Sequence, residues 1–158
     1  MRDCDCASPE AWCGVPGLAV AHQVASCTRL HLVRSPLIAI VDDDETLCSS
    51  LVDLMRSIGY RAEPFASAEA FLALCDLVPF ACVIADVHLP GMSGLELARK
   101  LHERGGMSPL ILITALSDQR LDDEAMSVGA RCLLRKPFET KALLDCVERS
   151  LSDDRPPR

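Results

Sequence analysis

The chain has 158 residues, enough for one domain of ordinary size and too few for two, so a single core has to carry the fold. Hydrophobic residues make up 49% of it and charged residues 25%, a balance that can bury a core and excludes a chain disordered throughout. Sixteen Lys and Arg against 23 Asp and Glu leave a net charge of −7, which repels a phosphate backbone over most of the surface, so no direct nucleic-acid ligand is expected.

Residues 1–36 carry Trp12, Pro9, Pro16, Gly14, Gly17 and four Cys, with no periodic apolar pattern except a short possible helix from Leu18 to Ala25. This segment is expected to be a poorly ordered N-terminal extension. Cys4, Cys6, Cys13 and Cys27 lack the spacing of paired Cys-x-x-Cys knuckles, which argues against a metal there. Asp3, Asp5 and Glu10 stand where a signal peptide would have a basic region and an apolar block. No apolar run reaches the roughly 18–20 residues a membrane-spanning helix needs. A cytoplasmic protein without membrane contact is the expectation. The total of nine Cys is odd, and Cys48, Cys75, Cys82, Cys132 and Cys146 are dispersed among apolar neighbours. Those five read as reduced, small core hydrophobes.

From Leu37 the pattern changes. Leu37-Ile38-Ala39-Ile40-Val41 is a strand, and Leu47, Leu51, Leu54, Met55 and Ile58 follow at the spacing of one helical face. Gly59 suits the residue just past that helix. A second strand is predicted over Arg61 to Phe65, then a helix capped by Ser67 and running to about Cys75. Ala81 to Ala85 is a wholly apolar third strand ending at Asp86. Ser93 with Glu96 three residues on is a capping box, so the third helix starts there and runs through Leu101 toward Gly105. Leu110 to Ile113 is strand four, ending at Thr114. Leu121, Ala125 and Met126 mark a fourth helix closed near Gly129. Cys132 to Leu134 is a short fifth strand, and Ala142 through Leu151 a last helix. Strands apolar on both faces and joined by helices imply a doubly wound α/β fold around a five-stranded parallel sheet. The folded domain is expected to span residues 37–151, with residues 152–158 a disordered tail.

Ligands of open parallel sheets bind beyond the carboxyl ends of the strands. Strand one ends in Asp42-Asp43-Asp44, strand three in Asp86, strand four in Thr114, and strand five runs into Lys136-Pro137. Two carboxylates about 4 Å apart repel by roughly 4 kcal/mol at an effective dielectric near 20, which favours a raised pKa or a bound cation. An oxygen-rich, partly hydrated site suits Mg²⁺. Acidic residues after a strand often only form turns, and Asp44 reads that way, as the N-cap of the first helix. Taken alone, Thr114 would be only a strand-end residue and Lys136 a solvated charge. Their coincidence with Asp42, Asp43 and Asp86 is what points to a site.

These residues resemble the receiver domain of bacterial two-component response regulators. The resemblance covers about Leu37 to Leu151. It is carried by Ile40-Val41-Asp42-Asp43-Asp44-Glu45, by the Asp86 to Gly94 segment, by Ile113-Thr114-Ala115, and by Gly129-Ala130 followed by Lys136-Pro137-Phe138. The stretch Pro64 to Leu72 is similar to receivers that elsewhere precede a helix-turn-helix output domain. The resemblance implies a flavodoxin-like sheet of strand order 2-1-3-4-5. It also implies that Asp86 accepts a phosphoryl group from a histidine kinase or phosphotransfer protein. Asp42, Asp43, Asp86 and the backbone carbonyl of His88 would hold Mg²⁺, Thr114 and Lys136 would bind phosphoryl oxygens, and the Lys136-Pro137 bond would be cis. Such a domain is a phosphoacceptor that promotes its own phosphorylation and dephosphorylation, and is not an enzyme acting on a separate substrate.

Two positions depart from the pattern. Leu133 stands where the family usually has an aromatic that turns inward on activation. Leu116 stands two residues after Thr114, near the approach of the hydrolytic water, and slow loss of phosphate is expected from it. Only Ser152 to Arg158 follow the last helix, so the expectation is a stand-alone receiver acting through protein contacts on an unidentified target. The contact face usual in the family, from the fourth helix to the fifth, carries Asp122, Asp123, Glu124, Arg131 and Arg135 here. Three rivals remain. An aspartate-based phosphatase would need an acidic residue two positions after its nucleophile, where His88 stands. A dinucleotide-binding domain would need a glycine-rich turn after strand one. A receiver-like interaction module that is never phosphorylated is left open by Leu133.

Overall fold

Three five-residue stretches, Leu37–Val41 (β1), Cys82–Asp86 (β3) and Leu110–Thr114 (β4), are buried at every position. In a strand, alternate side chains point to opposite faces, so burial at every position requires cover on both sides. The computed structural model, which describes residues 35–105 and 108–152, supplies that cover with five helices. They are α1 (Glu45–Ser57), α2 (Ala68–Leu72), α3 (Gly94–Glu103), α4 (Arg120–Ser127) and α5 (Thr140–Ser152). The sheet is completed by β2 (Arg61–Phe65) and β5 (Cys132–Arg135), in the order β2-β1-β3-β4-β5, with every pairing parallel. The expected fold class and strand order are both observed. Residues 1–34 of the expected extension (1–36) and residues 153–158 of the expected tail (152–158) lie outside the described residues.

The alternation sorts the core into two layers. Ala39, Val41, Val83, Ala85 and Leu112 pack with Phe71 of α2, Leu97 and Ala98 of α3, and Leu121 and Ala125 of α4. Ile38, Ile40, Ile84, Ile111 and Ile113 pack with Leu51, Val52 and Met55 of α1 and with Leu143, Cys146 and Val147 of α5. Phe65, Phe71 and Phe80 form a ring cluster under α2, with centroids 5.4 to 5.7 Å apart. Edge-on ring contacts of this kind add to plain area burial. Pro64 is accommodated because β2 is an edge strand, where the missing N–H costs no ladder bond.

Local signals fix most helix starts. The Asp44 side chain accepts from the N–H groups of Thr46 and Leu47, and Ser93 with Glu96 forms the reciprocal capping box. Helix α2 is shorter than its pattern predicts, ending at Leu72 rather than near Cys75. Beyond it the chain continues in tight turns, Leu74 N–H to Phe71 carbonyl and Leu77 N–H to Leu74 carbonyl. Leu74 and Leu77 are exposed while Cys75 and Val78 are only partly buried against the core, so packing holds this stretch less firmly than a regular helix requires. The end of α5 falls at Ser152, one residue past the expected boundary.

The five described cysteines are free thiols. Burial pushes Cys82 up to about 12 and Cys132 up to about 11. Such thiols stay protonated at neutral pH. Cys48, Cys82 and Cys146 are buried, as expected of core hydrophobes, whereas Cys75 and Cys132 are only partly buried at the edge of the core.

Candidate functional site

The parallel order brings the carboxyl ends of β1, β3 and β4 side by side. Asp42, Asp86 and Thr114 are the buried polar residues there, with relative exposures of 4%, 5% and 0%. Lys136, just past β5, reaches across the sheet. Its Nζ lies 2.7 Å from Asp86 Oδ1 and 3.0 Å from Asp42 Oδ2. The second oxygens are also held: Asp86 Oδ2 accepts from the His88 N–H at 2.6 Å, and Asp42 Oδ1 from the Asp44 N–H at 2.9 Å. Both carboxylates therefore sit on one ammonium, with their separation limited to the reach of two hydrogen bonds.

The charges do not cancel, because two buried carboxylates face a single half-buried cation. Burial alone would push the Lys136 ammonium down. Hydrogen bonds to Asp86 and Asp42 and the charges of both more than offset it, and its pKa ends above the ordinary lysine value. Asp43 is exposed beside this group. The surplus of negative oxygen invites a small hard cation.

Among the described residues no three His, Cys, Asp or Glu side chains form a ready metal cage. Mg²⁺ does not need one, since it retains several waters and is commonly held by one or two carboxylates. The donor set at the mouth of β1 and β3 is all oxygen, and it fits that ion.

Thr114 is held by its neighbours. Its carbonyl accepts from the Lys136 N–H at 2.7 Å, and its hydroxyl oxygen accepts from the Leu116 N–H at 3.1 Å. The hydroxyl proton is thus available to an acceptor arriving from the site. The Lys136-Pro137 bond is cis, as expected. Leu133, opposite Leu112 in register, is partly buried and packs against the layer formed with α2, α3 and α4. Next to Lys136, Arg135 reaches back to Asp122 Oδ2 at 2.7 Å and to the Asp118 carbonyl at 3.2 Å, tying the end of β5 to the start of α4.

Sequence reasoning overlooked Gly94. In the sequence it is only the last residue of the Asp86 to Gly94 motif, yet a Cβ there would stand well inside contact distance of the Asp86 carbonyl oxygen and 3.0 Å from its carbon. The helix start of α3 can press against the backbone of Asp86 only because residue 94 has no side chain. A glycine at the first position of a helix, after a strong cap, was the available signal.

The chain is similar to known proteins in both sequence and fold. Residues 38–148 match the response regulator receiver domain family. The chain is 40% identical over 118 residues to the response regulator protein TmoT of Ectopseudomonas mendocina, covering 75% of this chain and 54% of TmoT. It is 38% identical over 112 residues to the transcriptional regulatory protein FixJ of Azorhizobium caulinodans, covering 71% of this chain and 53% of FixJ. The chain thus spans about half the length of these curated relatives. The crystal structure of FixJ-N superposes with a TM-score of 0.71 at 34% identity, covering 78% of this chain and 98% of that one. The BeF3-activated DrrB receiver domain superposes with a TM-score of 0.68 at 33% identity, covering 75% and 98%. With a family match over most of its length and the sheet order and strand-end chemistry described above, this chain belongs to the response regulator receiver domain family.

Proposed function

We propose that Asp86 is the phosphoryl acceptor of this receiver, with a phosphohistidine of a histidine kinase or phosphotransfer protein as donor. The observation that carries the reading is the Lys136 ammonium shared between Asp86 and Asp42 at the mouth of the sheet. A carboxylate attacks phosphorus only where charge on the transferring group is neutralised. An Asp86 oxygen forms the new O–P bond as the P–N bond to the donor imidazole breaks, and the imidazole keeps the electron pair. Lys136 turns from its carboxylate partners toward a phosphoryl oxygen, and the Thr114 hydroxyl donates to another. Asp42, Asp43, Asp86 and the carbonyl of His88 would hold Mg²⁺, which supplies further neutralisation when bound.

Drawing the Thr114 hydroxyl to the phosphoryl group alters its contact with the Leu116 N–H, and the loop leading to α4 feels the change. The Arg135 bridge to Asp122 carries that loop and α4 together. We infer that the altered surface regulates a protein target, that nucleic acid is not bound by this domain directly, and that the protein works in the cytoplasm. Among the described residues no helix is long and apolar enough to cross a membrane.

Incubation with acetyl phosphate and Mg²⁺ should add one acid-labile phosphoryl group, detected by intact mass, to the wild type and none to Asp86→Asn. Chelation should prevent it. A wild type that gains no mass would favour a receiver-like interaction module that is never phosphorylated, the alternative that Leu133 in place of an aromatic keeps in view. Leu116, half exposed beside Thr114, offers no group to orient an attacking water. The phosphorylated wild type should therefore decay more slowly than a Leu116→Glu variant, and equal lifetimes would refute that role.

A further inference from the structure

We propose that Glu69 is a positioning residue that holds the loop between β3 and α3 in the shape needed for Mg²⁺ binding at Asp86 and His88. The inference rests on the reading of those two residues given above. Glu69 lies in the first turn of α2, outside the cluster at the strand ends. Its Oε1 nevertheless accepts from the Met92 N–H at 2.9 Å, a contact between residues 23 apart in sequence.

The fit is close on both sides. Gly91 adopts φ +80, and a Cβ at that position would come to 2.8 Å from the same Glu69 oxygen. Glycine lets the loop backbone lie against the carboxylate, and few other residues could take that conformation. The base that presents Glu69 is fixed: Ser67 caps α2 through the Ala70 N–H, and Ala68 and Phe71 are buried. The carboxylate's pKa is lowered by its own backbone N–H and by that of Met92, as expected for an ionised acceptor held by donors.

The loop is clamped at its other end too. Gly94 N–H donates to the Val87 carbonyl at 3.0 Å, and His88 N–H to Asp86 Oδ2 at 2.6 Å. Residues 87–93 are thus pinned by Asp86 and Gly94 on one side and by Glu69 on the other, with the carbonyl of His88 between. If that carbonyl is a ligand, its aim depends on both clamps. Groups that orient metal ligands commonly alter affinity tenfold or more. An exposed hydrogen bond is worth less, so about fivefold is the effect to look for.

The test is calorimetric titration of the unphosphorylated full chain with MgCl₂, alongside its thermal unfolding in EDTA. Glu69→Ala should weaken Mg²⁺ binding about fivefold while its unfolding midpoint in EDTA stays at the wild-type value. Glu69→Gln, which keeps an acceptor oxygen, should restore affinity to within about twofold of wild type. Unaltered affinity in Glu69→Ala beside normal wild-type binding would overturn the proposal alone. So would a glutamine variant as weak as the alanine one, or a loss of affinity that tracks a lower midpoint. A wild type that binds no Mg²⁺ would overturn the site reading and this proposal with it.

Discussion

Replacing Lys136 by Met is expected to destabilise the unphosphorylated protein by about 2–4 kcal/mol at neutral pH, measured by urea unfolding without divalent cations. Removing one partner of a buried ion pair typically costs 3–5 kcal/mol because the other charge is left uncompensated. Here one ammonium serves two carboxylates whose side chains are 4% and 7% exposed, and the 26% exposure of the Lys136 side chain moderates the loss. Much of the cost is repulsion between Asp42 and Asp86 once nothing lies between them. Adding Asp42→Asn to Lys136→Met should therefore recover a good part of it, and a double-mutant cycle reads that coupling directly. Mg²⁺ should also raise the variant's unfolding midpoint, since an ion that binds only the folded state stabilises it.

The pH dependence has a definite sign. The folded pKa of Lys136 is raised above its unfolded value, so the stability it contributes is complete below the unfolded lysine pKa of about 10.4 and is lost as pH rises through the folded pKa. Wild-type stability should accordingly fall more steeply than that of Lys136→Met above about pH 10. If Lys136→Met is as stable as the wild type at pH 7, the ammonium is screened like a surface charge, and its place at the centre of the site is wrong.

Gly94→Ala should have an effect of similar size for a different reason. The added methyl meets the backbone of Asp86 and stands 3.1 Å from the Cα of Val87. Neither can yield as a flexible side-chain tip would, so either β3 or the start of α3 has to shift. Overpacking of this kind typically costs about 1–3 kcal/mol, and unyielding backbone puts Gly94 at the upper end of that range. Displacement of Asp86 should slow phosphoryl incorporation from acetyl phosphate on the folded protein by about tenfold or more, because small misplacements of reacting groups are expensive. Gly59→Ala is the control. Gly59 has φ +91 and nothing within 4 Å, so it should cost only the strain of a left-handed residue, about 1–2 kcal/mol, and leave the phosphorylation rate unchanged. A Gly94→Ala protein with normal stability and rate would mean that the loop gives way freely.

Much of the architecture is written locally in this chain. The runs Leu37 to Val41, Ala81 to Ala85 and Leu110 to Ile113 are apolar at consecutive positions, and only a sheet covered on both faces can bury them. Asp44, Ser67 and Ser93 announce helix starts because capping depends on donors two or three residues away. The boundary of α2 was not legible in the same way. Its apolar residues continue at helical spacing through Cys75, and that Cys75 and Val78 find partial cover while Leu74 and Leu77 find none is settled by neighbours distant in sequence.

For the candidate site, the residue types at the strand ends were enough to select Asp42, Asp86, Thr114 and Lys136, since a parallel sheet gathers its carboxyl ends at one rim. How those groups engage one another was decided by tertiary structure. Lys136 and Asp42 are 94 residues apart, and only the strand order sets an ammonium from beyond β5 between carboxylates from β1 and β3. Gly94 against Asp86, and Glu69 against Met92, are decided in the same way. Periodicity and capping act over a few residues, whereas the approach of one backbone to another is fixed by how whole layers pack.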